Sequence, residues 1–283
     1  MKKHRKEYNL RKDIRCFAVC LATSGMILGA IYSMALTAQA SQVITAGGTD
    51  KRSKEAKEPS RQREEGPVQV DRFVLPENAR VLVVVEGTGG SFCKVSAYER
   101  EREGSLDWTL KMSTSGYLGH NGMSNHRIMG DKTTPIGVFQ MNTPFGQADP
   151  LEGFPDNYVK VTENYVWESR TNRLAESSTE EGERVGTERY KGYYDYVLDA
   201  GYNKNAVAGK GAALFLHCSV EGVTGSSGCV EIPREHMIYV MKLYGKYGDG
   251  ASYIAQAPAG TFFQIYDTYG TNNGLSPEGD FAS

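Results

Sequence analysis

The sequence lacks a charge excess of either sign. Its 283 residues hold 32 Lys and Arg against 34 Asp and Glu, which gives a formal net charge of −2. Residues 1–40 contain seven of the basic residues and two of the acids, so the rest of the chain is mildly acidic. A surface that binds nucleic acid needs clustered Lys and Arg to neutralise phosphates. We therefore expect no nucleic-acid partner.

Cysteine is scarce, and the spacing typical of a metal site is missing. Only Cys93, Cys218 and Cys229 follow residue 40, and none belongs to a C-x-x-C pair. His217 and Cys218 are neighbours in a predicted strand and point to opposite faces, so they cannot easily share a zinc ion. We expect no metal and no cofactor. An odd number of cysteines leaves at least one free thiol. Cys218 is then either a small core residue or the disulfide partner of Cys93.

Long apolar runs are also rare, and the longest lies near the N-terminus. Seven Lys and Arg residues precede the stretch Cys16–Leu36, and Ala38-Gln39-Ala40 follows it. This order is typical of an export signal. We predict a signal peptide over residues 1–40 that engages the membrane and the secretion machinery. An uncleaved membrane anchor is the alternative, because the stretch approaches the roughly 20 residues that span a bilayer. Either way, the protein is exported to the cell wall or to a membrane-proximal position.

The remaining chain divides into three parts. Residues 41–72 are charged and contain too few apolar side chains to offset chain entropy, which predicts a disordered linker. Residues 73–270 carry the strand and helix patterns and form the predicted folded domain. Residues 271–283 are predicted to be a flexible tail. The polar stretch Glu176–Glu183 within the domain predicts a solvated loop, with a mobile lid as the alternative.

Strand patterns dominate the folded part. Short β-branched and aromatic runs between Gly- and Asn-rich turns predict strands. These lie at Arg80–Glu86, Phe92–Tyr98, Trp108–Met112, Gly137–Met141, Tyr194–Leu198, Ala212–His217, Val230–Ile232 and Thr261–Tyr266. One helix follows Pro233 and should end before Gly245, with Met237, Val240, Met241 and Tyr244 recurring at helical spacing. The sequence therefore predicts a mainly β domain with one or two short helices.

One cysteine lies in a setting suited to nucleophilic chemistry. Cys229 ends a turn of small residues, Thr224–Gly228, in which backbone amides can approach a ligand without obstruction. His217 lies twelve positions upstream, at the tip of an apolar predicted strand. An imidazole that takes the thiol proton turns a weak nucleophile into a strong one. The pattern predicts that Cys229 and His217 lie close together.

Several segments resemble, in the same order, the catalytic domain of the L,D-transpeptidase family from Arg80 to about Tyr266. They are Lys132–Phe139 with its threonine-proline-x-glycine pattern, Pro144–Gly146, Gly201–Asn203, Leu214–His217, and Ser226–Val230 with its serine-x-glycine-cysteine pattern. The resemblance implies a β-sandwich-like catalytic domain that acts on peptidoglycan stem peptides. It also implies Cys229 as nucleophile and His217 as proton donor and acceptor.

Two further residues receive roles on this basis. The backbone amide of Gly228, together with that of Cys229, is the expected oxyanion hole, and Ser226 is expected to orient the site or to cap the local backbone. Ser227 stands where the best-known members have a second histidine, and Glu231 where many have arginine or asparagine.

The expected reaction is transfer of an acyl group from Cys229 to an amine of a second stem peptide, by a protein expected to be a monomer. A carboxypeptidase or endopeptidase with the same Cys–His pair is one alternative. A non-catalytic wall-binding module is the other.

Overall fold

The computed structural model describes residues 66–269, and these form a mainly β fold with few helices, as predicted. The strands are β1 Val81–Gly89, β2 Phe92–Glu99, β3 Thr109–Tyr117, β4 Met123–Ser124, β5 Thr134–Pro135, β6 Gly137–Gln140, β7 Asn142–Gly146, β8 Val159–Lys160, β9 Tyr165–Glu168, β10 Arg173–Glu176, β11 Gly182–Glu183, β12 Val197–Asp199, β13 Phe215–Cys218, β14 Val230–Ile232 and β15 Ser252–Pro258. The helix α1 spans Arg234–Tyr247, and short 3₁₀ turns lie at Val70–Arg72, Glu188–Tyr190 and Phe262–Gln264.

Ten strands form one large sheet in the order β6-β15-β1-β2-β3-β14-β13-β12-β7-β8. Strand β1 is buried on both faces, because Val81, Val83 and Val85 pack into the main core while Leu82 and Val84 pack into a second one. A strand that is buried on both faces needs apolar residues at successive positions, and this explains the continuous apolar run of β1. The first predicted strand is thereby confirmed.

Strands β13 and β14 form a parallel pair inside this sheet. Leu216 pairs with Val230, His217 with Glu231, and Cys218 with Ile232. Because side chains alternate along each strand, His217 and Glu231 point to one face of the sheet and their neighbours to the other. Leu216, Cys218, Val230 and Ile232 belong to the main core. The other face is therefore available for a site.

Helix α1 covers the main core with the residues that the pattern predicts. Met237, Val240, Met241 and Tyr244 are all buried. The predicted end before Gly245 is wrong, because the helix continues to Tyr247. A Cβ at Gly245 would lie 2.6 Å from the carbonyl oxygen of Gly153, so glycine serves close packing there. Gly248, with φ of 73°, follows the helix.

One predicted strand is wrong, and eight of the fifteen described strands were not predicted, of which β15 is the longest. Thr261–Tyr266 contains a 3₁₀ turn, whereas β15 pairs in parallel with β1 along its length. Strand β15, Ser252–Pro258, is almost wholly buried and mixes small, polar and aromatic residues. It therefore lacks both the alternation and the β-branched run that mark a strand in sequence.

The predicted linker partly overlaps the described structure. In residues 66–72, Val68 and Val70 pack against the second core, and the amide of Gln69 donates to the hydroxyl of Tyr266 at 3.0 Å. The predicted signal at 1–40, the rest of the linker and the tail at 271–283 lie outside the described residues. No helix within residues 66–269 has the length and apolar composition needed to cross a membrane.

Candidate active site

The free face of β13 and β14 forms the floor of a cleft of about 560 Å³. His217, Glu231 and Cys229 all line this cleft. Cys229 immediately precedes β14 and lies two residues before Glu231, so both side chains share the face that His217 occupies on the neighbouring strand. The structure thus brings together the two residues that sequence analysis assigns to chemistry.

The thiol of Cys229 is buried in an apolar cluster and bonded to backbone groups. Its Sγ donates to the carbonyl oxygen of Ala213 at 3.4 Å and accepts from the amide of Phe215 at 3.4 Å. Burial raises the pKa of this thiol above its ordinary value, and the nearby carboxyl of Glu183 raises it further. The thiol is therefore protonated and neutral near neutral pH.

The imidazole of His217 is also buried, with 3% of its surface exposed. Its Nδ1 lies 2.9 Å from the carbonyl oxygen of Cys218, which can only accept, so Nδ1 carries the proton and Nε2 has the free lone pair. Burial lowers the pKa of His217 to about 4. The ring packs edge-on against Tyr194, with centroids 5.1 Å apart. The result is a neutral imidazole of fixed tautomer, able to accept a proton at Nε2.

Cys229 and His217 share the cleft without a hydrogen bond between them. Within residues 66–269, the thiol hydrogen-bonds only to the backbone of Phe215 and Ala213, and the imidazole only to Cys218. Proton transfer from sulfur to Nε2 therefore requires the thiol to turn away from these backbone partners.

Ser226 holds the turn that carries the thiol. Its Oγ donates to the carbonyl oxygen of Cys229 at 2.7 Å and accepts from the amide of Gly228 at 2.9 Å. Of the two roles considered for Ser226, these bonds fit backbone capping, and the hydroxyl makes no bond to His217. The expected role of the Gly228 amide as an oxyanion donor needs correction, because that N–H is already bonded to Ser226. The amide of Cys229 remains the candidate donor.

Gly228 is required by its surroundings. Its φ is 137°, and a Cβ there would lie 2.5 Å from Nη1 of Arg127 and 2.7 Å from the carbonyl oxygen of Thr133. The hydroxyl of Thr134 donates to the carbonyl oxygen of Gly228 at 2.9 Å and accepts from the amide of Gly119 at the same distance. The threonine-proline-x-glycine segment therefore fixes the turn before Cys229.

Arg127 holds the same turn through contacts with backbone carbonyl oxygens. Its Nη1 bonds to the carbonyl oxygen of Thr133, lies 3.3 Å from Oδ1 of Asp131, and approaches the carbonyl oxygen of Ser227 at 3.5 Å. The side chain is 5% exposed. Sequence analysis did not single out Arg127, because an arginine in a Gly-rich loop carries no local pattern.

The polar stretch Glu176–Glu183 is mostly exposed, as a solvated loop would be, but its two ends lie in strands. Its ends pair with β9 in a small separate sheet, and Glu183 lines the cleft. The hydroxyl of Tyr194 donates to the carboxyl of Glu183. Burial raises the pKa of this carboxyl above its ordinary value. Sequence analysis missed Glu183 and Tyr194, since their proximity to Cys229 comes from the fold alone.

The other two cysteines within residues 66–269 lie away from the cleft. Cys93 and Cys218 are buried free thiols in the main core, so the alternative of a disulfide between them is not realised. Cys218 is a small core residue, on the face opposite to His217. Among the residues described, no three His, Cys, Asp or Glu side chains cluster as metal ligands do.

Comparison with known proteins adds little. No family model and no curated protein matches the sequence. Among solved structures, one described as "Structure of Bdellovibrio bacteriovorus Bd1075" aligns at 17% identity and a TM-score of 0.34. The alignment covers 62% of this chain and 47% of that chain, so it spans about half the length of the Bdellovibrio protein. At this TM-score, the likeness supports no argument about this chain.

Proposed function

We propose that the protein is an L,D-transpeptidase that forms a thioester between Cys229 and a peptidoglycan stem peptide. The observation that carries the proposal is the shared cleft of Cys229 and His217, in which the bond from Nδ1 to Cys218 leaves Nε2 free as a base. The family resemblance of the surrounding segments supports the choice of substrate.

The proposed acylation begins with the thiol proton. Nε2 of His217 takes this proton as sulfur attacks the carbonyl carbon of the stem diamino acid, and the carbonyl oxygen becomes negative. The amide of Cys229 stabilises that oxygen, a contribution of roughly 3–4 kcal/mol per donor in other enzymes. The carbon–nitrogen bond then breaks, and the imidazolium returns the proton to the leaving amine of D-alanine.

The proposed second half transfers the acyl group. A neutral amine of another stem peptide attacks the thioester carbonyl, His217 removes the proton released from nitrogen, and the carbon–sulfur bond breaks. The thiolate of Cys229 recovers the proton from the imidazolium. The products are a cross-linked dimer and the resting enzyme, so no cofactor is consumed. The stem peptides lie outside the cytoplasm, which agrees with the export predicted from residues 1–40.

Mass spectrometry of the full chain incubated with purified disaccharide-tetrapeptide tests the proposal. We expect a thioester on Cys229 and a cross-linked dimer with loss of D-alanine, both absent in Cys229→Ala. Cys218→Ala is the matched control, because it removes a buried thiol from the opposite face of the sheet. Tripeptide without dimer would make the protein a carboxypeptidase. If neither a thioester nor any turnover is detected, the proposal is overturned and a binding module is favoured.

A further inference from the structure

Glu231 is an acid in the floor of the cleft, and one of its carboxyl oxygens is buried without a hydrogen-bond partner among the described residues. It pairs with His217 across the two parallel strands and is 2% exposed. Its Oε2 is buried and accepts no hydrogen bond from any residue in the range 66–269. Buried polar atoms almost always have a partner, and an unpaired buried carboxylate is costly. Such an atom in a cleft floor indicates a group that binds from outside.

The charged residues around Glu231 indicate what kind of ligand its carboxyl would bind. Among the described residues, no Lys, Arg or His forms an ion pair with it. Three Lys and Arg residues line the cleft, namely Arg127, Lys132 and Arg189. None of them forms an ion pair with Glu231, and Arg127 is engaged with Asp131 at 3.3 Å. Glu183, the other cleft acid, already accepts from Tyr194. Burial without a counter-charge raises the pKa of Glu231 to about 7. The cleft floor therefore lacks a cation and hydrogen-bond donors beside Glu231.

The position of Glu231 relative to Cys229 limits where that cation binds. Two residues along a strand separate their Cα atoms by roughly 6.5 Å, and the paired strand of His217 lies about 4.8 Å away. A group bonded to the carboxyl of Glu231 therefore lies in the same cleft, and on the same face of the sheet, as an acyl group on Cys229. A primary ammonium fits this position, since it is compact and supplies a charge and three donors.

We infer that Glu231 binds the acceptor amine of the proposed transfer as a primary ammonium and so determines specificity for amine acceptors. The Glu231 carboxylate takes the extra proton before the neutral amine attacks the thioester, and then releases it to solvent. The inference rests on the proposed function for the identity of the amine. Glu231 replaces the arginine or asparagine of many L,D-transpeptidases, and a carboxyl at this position selects for a cation where an arginine would select for an anion.

A binding experiment tests this without turnover. In the full chain carrying Cys229→Ala, titration calorimetry compares disaccharide-tetrapeptide with the same compound acetylated on the side-chain amine of its diamino acid. A hydrogen bond to a charged group contributes about 1.5–3 kcal/mol, so acetylation should weaken binding about tenfold or more. In the Glu231→Gln variant of the same background, acetylation should change binding less than about twofold.

The matched control is Glu221→Gln, which removes the same charge from an exposed turn outside the cleft and should keep the tenfold effect. Equal sensitivity to acetylation with Glu231 and with Gln at this position would overturn the inference, as would failure of the free-amine peptide to bind. The proposed function has a separate readout, the thioester on Cys229. If no thioester forms but the difference in affinity between the free and the acetylated peptide persists, the proposed acyl transfer is wrong and the ammonium site is retained.

Discussion

The protonation state of His217 should be visible in the stability of the protein. The pKa of this imidazole falls from an ordinary 6.5 to about 4 because burial disfavours its charged form. Between these two pH values the unfolded chain holds a proton that the folded protein does not. Stability therefore falls as pH is lowered through this window. This lowering of the His217 pKa corresponds to a change of about 3 kcal/mol in the free energy of unfolding between pH 7 and pH 4.

Three other buried groups act in the opposite direction and must be separated from His217. Burial raises the pKa of both Glu231 and Asp199 to about 7, and it raises the pKa of Glu183 above its ordinary value. These carboxyls keep a proton in the folded state that the unfolded chain releases, so their contribution falls as pH rises toward 7. The free energy of unfolding therefore changes with pH through opposing contributions. Only the difference in this free energy between the parent and a His217 variant gives the contribution of the imidazole.

The variant His217→Asn supplies that difference, since an asparagine amide can still donate to the carbonyl oxygen of Cys218. Urea unfolding at steps from pH 4 to pH 7, followed by fluorescence of Trp108 and Trp167, gives the free energy of unfolding for each protein. Relative to the variant, the parent should lose about 3 kcal/mol on going from pH 7 to pH 4. A difference that stays constant across this range would refute the neutral, buried imidazole.

Three further predictions concern the turn and its thiol. Alkylation of Cys229 by iodoacetamide in the free protein, followed by peptide mass spectrometry, should accelerate with pH beyond pH 9; a plateau below pH 7 would contradict the raised thiol pKa. Gly228→Ala should lower the free energy of unfolding by roughly 2–4 kcal/mol in urea, because of the positive φ and the close contact with Arg127; an unchanged midpoint would contradict this reasoning. Ser226→Ala should cost about 1–2 kcal/mol and slow thioester formation without moving its pH profile, and a moved profile would place the hydroxyl in the chemistry.

Local patterns predicted the elements whose residues alternate regularly between core and solvent. The apolar face of α1 is one example, since Met237, Val240, Met241 and Tyr244 recur at helical spacing and all pack on the main core. The shared cleft of Cys229 and His217 was also predictable, because His217 lies in β13 and Cys229 directly precedes the paired strand β14 after a short connection. Strand β15 was not, since it is buried on both faces and, unlike β1, has no β-branched run to mark it.

Contacts between distant segments could not be predicted. Glu183, Tyr194 and Arg127 reach the cleft from three separate parts of the chain, and nothing in the local sequence of each indicates the thiol. The amide of Gly228 illustrates the same limit at short range. The motif predicts a free donor, but the side chain of Ser226 turns back and uses it. Only the conformation of the turn decides between these outcomes.

The sequence pattern also suggests a thiol activated by its histidine, and the structure argues for a different order of events. Burial raises the pKa of Cys229 and lowers that of His217, so both shifts oppose separation of charge between them. A thiolate–imidazolium ion pair between Cys229 and His217 is therefore disfavoured in the free protein at every pH between the pKa of His217 and that of Cys229. In the proposed reaction the thiol proton leaves only as sulfur attacks a carbonyl carbon, because negative charge then passes to an oxygen that the amide of Cys229 stabilises. Selectivity follows from this, since a reagent that brings no such oxygen into the cleft finds a neutral thiol.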